Sequence, residues 1–154
     1  MCEKKYPYHG AASIIDYVDE YLFDGVYLLL AEDGSCSTTD GLPVLQYVQG
    51  KFWVNNHAHI LQGKSEISTE HIKLFFNKFV ITPYITGAVQ PKITQQNLNS
   101  IPFIIPPLRI LENFNGHISK SFRLILYNNS EIQSLTATRD YLLPRLLSGD
   151  VRVE

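Results

Sequence analysis

The chain has 154 residues, 45% of them apolar and 18% charged, with nine glycines, eight prolines and a net charge of −2. That length suits about one domain with a substantial core, and the composition excludes a disordered chain, a collagen-like repeat and a small disulfide scaffold. It also excludes a uniformly basic nucleic-acid coat protein, but not a basic patch on a mildly acidic body. Cys2 and Cys36 stand in no metal-ligand spacing. Such sparse thiols suit a reducing compartment. Lys4 and Lys5 lead into Tyr6-Pro7-Tyr8 rather than an apolar run, and Val26–Ala31 is too short to span a bilayer. A cytoplasmic protein without membrane contact is expected. The charge is unevenly placed. Residues 1–40 hold two lysines against eight acids (net −6), and residues 41–105 hold five lysines against two acids (net +3). Residues 106–154 hold six basic against five acidic groups (net +1), so the middle of the chain is its cationic part.

In chain order, Ser13–Val18 and Val26–Ala31 are β-rich runs. Leu45-Gln46-Tyr47-Val48-Gln49 alternates, Gly50-Lys51 reads as a turn, and Phe52-Trp53-Val54 resumes. Asn55-Asn56 is a second turn signal, followed by His57–Leu61. Three short antiparallel strands with tight turns is the simplest arrangement. Ser68 predicts an N-cap for a helix with Ile72, Phe75, Phe76 and Phe79 on one face. Gly87 breaks the chain, Ala88–Ile93 reads as a strand or extended loop, and Thr94 caps a short helix through Leu98. Ile101–Ile105 predicts a last strand, ended by Pro106-Pro107.

From Leu108 the pattern becomes helical, with apolar residues at Leu111, Phe114, Ile118, Phe122, Ile125, Ile132, Leu135, Leu142 and Leu146. The spacing from 118 to 132 is a heptad seam with Asn129 at one seam position. Forty residues of helix measure roughly 60 Å at 1.5 Å per residue, more than the rest of the chain needs. Such a helix is expected to pack against a partner; folding back on its own domain is the plainer alternative. Gly116 and Asn128-Asn129 are points where it can bend.

Motifs for catalysis are sparse. Ala58–Ser65 matches a loose phosphate-loop pattern, yet the residues between its ends read as strand and the next helix starts several residues later. His57 and His59 fall on one face of a strand, as a metal would need, but no comparable third ligand stands nearby; polar strand residues is the preferred reading. No G-x-S-x-G, H-E-x-x-H, C-x-x-C or G-x-G-x-x-G occurs, nor the Asn/Asp-Pro-Pro-Tyr/Phe run of aminomethyltransferases. No catalytic residue, metal ligand or cofactor site is expected in this chain. What remains is a recognition surface in the cationic middle, made of Lys51, Asn55, Asn56, His57, His59, Lys64, Gln90 and Lys92. Lysines neutralise phosphates, and Asn and Gln amides pair with adenine N6 and N7. Ordinary polar loops explain the same composition equally well.

Several longer runs are more specific. Tyr6–Tyr17, Leu28–Gly34, Val54–Leu61 and Thr86-Gly87-Ala88-Val89-Gln90-Pro91-Lys92-Ile93-Thr94 resemble target recognition domains of type I restriction–modification specificity subunits. The Ile-Pro-x-Ile-x-Pro-Pro passage at 101–107 and Arg139–Gly149 share that resemblance, and together the runs cover most of the chain in the family's order. The resemblance implies a subunit that reads double-stranded DNA and performs no chemistry, with Thr86 and Gly87 joining the DNA-binding set. It implies partners: methyltransferase subunits that use S-adenosylmethionine to methylate adenine, and an ATP-using, translocating restriction subunit. It further implies an α+β organisation, with a recognition domain at 1–106 of short strands and small helices, a long coiled-coil-type helix at 107–147, and a tail at 148–154. That is half of a specificity subunit. The family's usual element upstream of Tyr6 is lacking here, and Leu108-Arg109-Ile110 stands where the family has Glu-x-Gln. The helix is expected to pair antiparallel with a second copy through Leu111, Ile118, Phe122, Ile125, Ile132, Leu135, Leu142 and Leu146. The alternative is a truncated fragment without DNA recognition, acting only as a helical assembly module.

Overall fold

A computed structural model describes residues 5–150; Cys2, Lys4 and the last four residues of the tail lie outside them. It is an α+β structure. Five strands run in the order β1 (Tyr6–His9), β2 (Ile14–Val18), β3 (Phe23–Ala31), β4 (Leu45–Val54) and β5 (Ala58–Leu61). Helices follow: α1 (Thr69–Phe76), α2 (Gln95–Asn99) and α3 (Leu108–Ser148), with a single 3₁₀ turn at Thr82–Tyr84. The chain divides into two compact units, residues 1–115 and 116–154.

The sheet of the first unit has the order β2-β1-β4-β3-β5, antiparallel except where β1 runs parallel to β4. Its middle pair, β3 and β4, keeps one register from Phe23↔Phe52 to Leu30↔Leu45. The expected turn at Gly50-Lys51 is therefore absent: β4 passes straight through both residues. Gly50 holds φ +88° opposite Gly25 at φ +143°, a conformation open to glycine, so the sequence signal marked a sharp coiling of the strand instead of its end. Nor do the last two strands form a hairpin. β5 leaves β4 and pairs with β3, from Leu28↔Leu61 to Ala31↔Ala58.

That connection forces the sheet to curl. Val54 leaves β4 beyond Phe23, at one end of β3, and Ala58 lies opposite Ala31 at the other. Four peptide steps reach about 15 Å, whereas nine residues of flat strand extend roughly 30 Å. β4 tells the same story. Val54 pairs with His9, while Gln46, eight residues earlier, meets the same His9 through Oε1, 2.8 Å from Nδ1. The Gln46 amide also donates to the carbonyls of Gly10 at 2.8 Å and Ala11 at 3.2 Å, closing the β1–β2 turn over the curl.

The curl divides the apolar residues between two cores. On its inside Leu29, Val48, Phe52, Val54 and Ala58 pack with Phe23 and Tyr27. On its outside Leu28, Leu30, Cys36, Phe76, Ile81 and Ile93 are buried, with Phe75 and Ile72 of α1 packed against them. The uninterrupted Leu28-Leu29-Leu30-Ala31 run is explained by this: alternate side chains enter opposite cores, and all four are fully buried. Helix α1 starts where expected, the Ser68 hydroxyl accepting from the His71 amide, and Thr94 caps α2 in the same way through Asn97. The strand expected at Ile101–Ile105 does not form. The segment makes no ladder bonds, Pro102 having no amide hydrogen to offer a neighbour.

The second unit is made of the remainder of α3. Ile125, Ile132, Leu135, Leu142 and Leu146 are exposed there at 45, 60, 65, 36 and 39%, while Phe122 is buried at 7%. Pro144 lies inside the helix and has no amide hydrogen for the Asp140 carbonyl. No helix among the described residues is long and apolar enough to cross a membrane.

Candidate nucleic-acid interface

All the predicted recognition residues except Lys51 and Lys64 come from two segments, each a loop with the residues beside it, that are far apart in sequence. The first is the turn between β4 and β5. Its shape comes from Asn55, whose backbone amide donates to the His9 carbonyl at 3.0 Å and whose side-chain oxygen accepts from the His57 amide at 3.0 Å. This is an Asx turn, the local preference for which asparagine is common at such positions. It leaves Asn56 and His57 exposed at its crest.

The second loop closes between Thr86 and Lys92. The two residues exchange a pair of backbone hydrogen bonds, both 2.8 Å, and the Thr86 hydroxyl donates to the Lys92 carbonyl at 3.2 Å. Gly87 turns the chain at φ +90°, and a Cβ placed there would lie 2.3 Å from the Gln90 carbonyl oxygen. Only glycine fits that turn. Ala88, Val89 and Gln90 stand exposed at the tip.

Glu32 and Asp33, directly after β3, tie the two loops together. The Glu32 amide donates to the His57 carbonyl at 2.9 Å, and its carbonyl accepts from the Ile93 amide at 2.7 Å. Its carboxylate holds Lys92 Nζ at 2.8 Å and lies 3.9 Å from His59 Nδ1. Asp33 accepts from His57 Nδ1 at 2.7 Å and forms an antiparallel bridge with Lys92. His59 Nε2 donates to the Ile93 carbonyl at 2.7 Å. The structure thus brings together Asn55, Asn56, His57, His59, Thr86, Gly87, Gln90 and Lys92 around two carboxylates that the sequence analysis had not assigned to the site. Their signal was the Glu-Asp-Gly sequence that follows the apolar run Val26–Ala31.

This arrangement divides the labour among the predicted residues. The two histidines point to different partners, and the described residues contain no cluster of three or more His, Cys, Asp or Glu able to hold a metal. Lys92 is raised above its ordinary pKa by its hydrogen bond to Glu32, so its charge is already matched within the protein. Cys36 sits beneath the second loop, its Sγ 3.3 Å from the Pro91 carbonyl, and burial pushes the thiol up; it is a protonated packing residue there. Lys51 and Lys64 stand in other settings. Lys51 is exposed on β4 with its Nζ 4.6 Å from the centre of the Tyr21 ring, and the hydrogen bond to Tyr21 raises its pKa. Lys64 is exposed at the rim of an apolar cleft of about 670 Å³, lined by Ile72, Phe75, Phe103 and Leu111 among others. In the loose phosphate-loop match, Ala58–Leu61 are strand β5 and α1 begins only at Thr69, so no strand–loop–helix cradle is formed.

A family model for the type I restriction modification DNA specificity domain matches residues 3–134. The chain belongs to that family. A putative type I restriction enzyme specificity subunit of Haemophilus influenzae is 38% identical over 104 residues, covering 68% of this chain and 26% of its own length. The MjaIX specificity subunit of Methanocaldococcus jannaschii is 30% identical over 108 residues, or 68% of this chain and 25% of its own. The HindI specificity subunit of Haemophilus influenzae is 29% identical over 122 residues, or 76% and 26%. This specificity domain therefore spans about a quarter of the length of the curated relatives it matches. The two loops joined through Glu32 and Asp33 lie inside the matched region.

Proposed function

We propose that this specificity domain reads one half of a split site in double-stranded DNA and has no catalytic role of its own. One observation carries the reading beyond family membership: a loop bearing Asn55, Asn56 and His57 and a second bearing Gln90, about 30 residues further along the sequence, are fixed side by side by a single acidic pair. Asn56 and Gln90, exposed at the two crests, supply bidentate contacts to adenine, and Asn55 holds the first crest in shape. Lys51 and Lys64 supply phosphate contacts, whereas Lys92 anchors the second loop through Glu32.

The exposed seam of α3 supports a second element of the proposal. A helix of 41 residues is about 60 Å long, and its Ile125, Ile132, Leu135, Leu142 and Leu146 are open to water. Two copies pair antiparallel along it and present two recognition domains to inverted half-sites. The assembly places an adenine methyltransferase and a restriction subunit on the DNA in the cytoplasm. S-adenosylmethionine then belongs to the methyltransferase subunit, ATP to the restriction subunit, and no cofactor to this chain.

The test is recovery of bound duplexes from a randomised pool by the full chain, repeated at rising salt. A defined motif should be enriched, with affinity falling steeply as salt rises because phosphate contacts release counterions. A pool returned unenriched would defeat the proposal.

A further inference from the structure

The polar residues around the loop closed by Thr86 and Lys92 do not account for its most exposed side chain. Val89 at the tip is 99% exposed. One exposed valine on a surface is ordinary. What distinguishes this one is the rigidity of its support. The stem is closed by two backbone hydrogen bonds of 2.8 Å, and Lys92 is held by Glu32 at 2.8 Å. The Pro91 carbonyl accepts from the Gly34 amide at 3.2 Å, and Ile93 below it is fully buried. The turn closes on itself at Gly87, where not even a methyl group fits. Conformational freedom of the loop's stem was thus given up on folding, so presenting the tip to a partner costs little further backbone entropy there. A narrow loop tip of this kind, closed at its base by a single bridge, is small enough to enter the major groove of B-DNA.

We propose that Val89 is a specificity-determining residue that packs against the 5-methyl group of a thymine, beside the base contacted by Gln90. The inference rests on the reading that this chain binds duplex DNA. Valine has neither donor nor acceptor, and the thymine methyl is the apolar group that the major groove presents. Val89 and Gln90 then read adjacent base pairs as one unit: a methyl contact next to an amide that pairs with adenine N6 and N7. Burying one methyl group in that contact corresponds to about fourfold in affinity.

The test uses the full chain and two pools of randomised duplex DNA, one with thymine and one with deoxyuridine throughout. The wild type and Val89→Ile should enrich thymine at one fixed motif position about fourfold, and only from the thymine pool. Val89→Ser should enrich the rest of the same motif from both pools, with no preference at that position. The inference is overturned if Val89→Ser returns the wild-type motif unchanged, or if the wild type shows the same preference in both pools. A wild type that enriches no motif from either pool overturns the DNA-reading function itself, an outcome distinct from the loss of Val89's role alone.

Discussion

Replacing Phe52 by alanine tests the curled sheet on which the recognition loops stand. Phe52 is fully buried, stacked on Phe23 at 5.4 Å and edge-on to Tyr27 at 5.6 Å and His9 at 5.5 Å between ring centres. These neighbours come from the strands on either side of β4: Phe23 is paired directly opposite Phe52 on β3, where Tyr27 also lies, and His9 stands on β1. Removing a phenylalanine from such a site costs about 3–5 kcal/mol, the lost transfer energy plus the cavity left behind. With a urea m-value of about 1.5 kcal/mol/M, the unfolding midpoint should fall by roughly 2–3 M. Urea denaturation followed by circular dichroism measures this, and Phe52→Leu should recover most of the loss because the volume is largely kept. If Phe52→Ala lowered stability by less than about 1 kcal/mol, the ring would be facing water and not the core enclosed by the sheet.

Other expectations follow from the same geometry. Lys51→Glu should weaken binding to all duplexes alike and reduce the salt slope by about 1, measured by fluorescence anisotropy; a change in sequence preference instead would contradict a phosphate role. Asn56→Ala should relax preference at one base position by about 1–3 kcal/mol while leaving the folded state intact, and an unchanged preference would remove Asn56 from base reading. His71 lies between the Phe103 and Phe114 rings, its buried Nδ1 has no hydrogen-bond partner, and burial lowers its pKa. The unfolded chain therefore binds that proton more readily. Its stabilising contribution is present above the unfolded value of about 6.5 and lost as pH falls through the lower folded value, so His71→Leu should flatten the acid-side loss of stability. Sedimentation equilibrium should show a dimer that Ile132→Asp with Leu135→Asp converts to monomer; a monomeric wild type at tens of micromolar would exclude pairing through α3.

How much the sequence disclosed depended on whether the signal was local. The Ser68 and Thr94 caps, the Asn55 turn and the helical register after Leu108 involve residues within a few positions of one another, and each was legible. Gly50 was misread because a glycine permits positive φ equally at a turn and at a coil within a strand. Deciding between them requires the facing Gly25, 25 residues earlier. The Ile101–Ile105 segment had the composition of a strand, but strand formation needs a partner edge, which composition does not supply. Within the candidate site, residue chemistry picked out the amides of both loops and the imidazoles of the first. The roles of Glu32 and Asp33 were hidden because they arise from contacts reaching 24 to 61 positions along the chain. Lys92 likewise has the charge of a phosphate ligand, and only the 2.8 Å contact with Glu32 shows its anchoring part.

The central claim, that this domain selects DNA sequence for an adenine methyltransferase, is tested most directly by mapping methylated adenines in a host with and without the gene. The account predicts methylation at one bipartite motif with inverted half-sites, lost on deletion and altered in both halves by Gln90→Ala. A methylation map identical in the two hosts would contradict it.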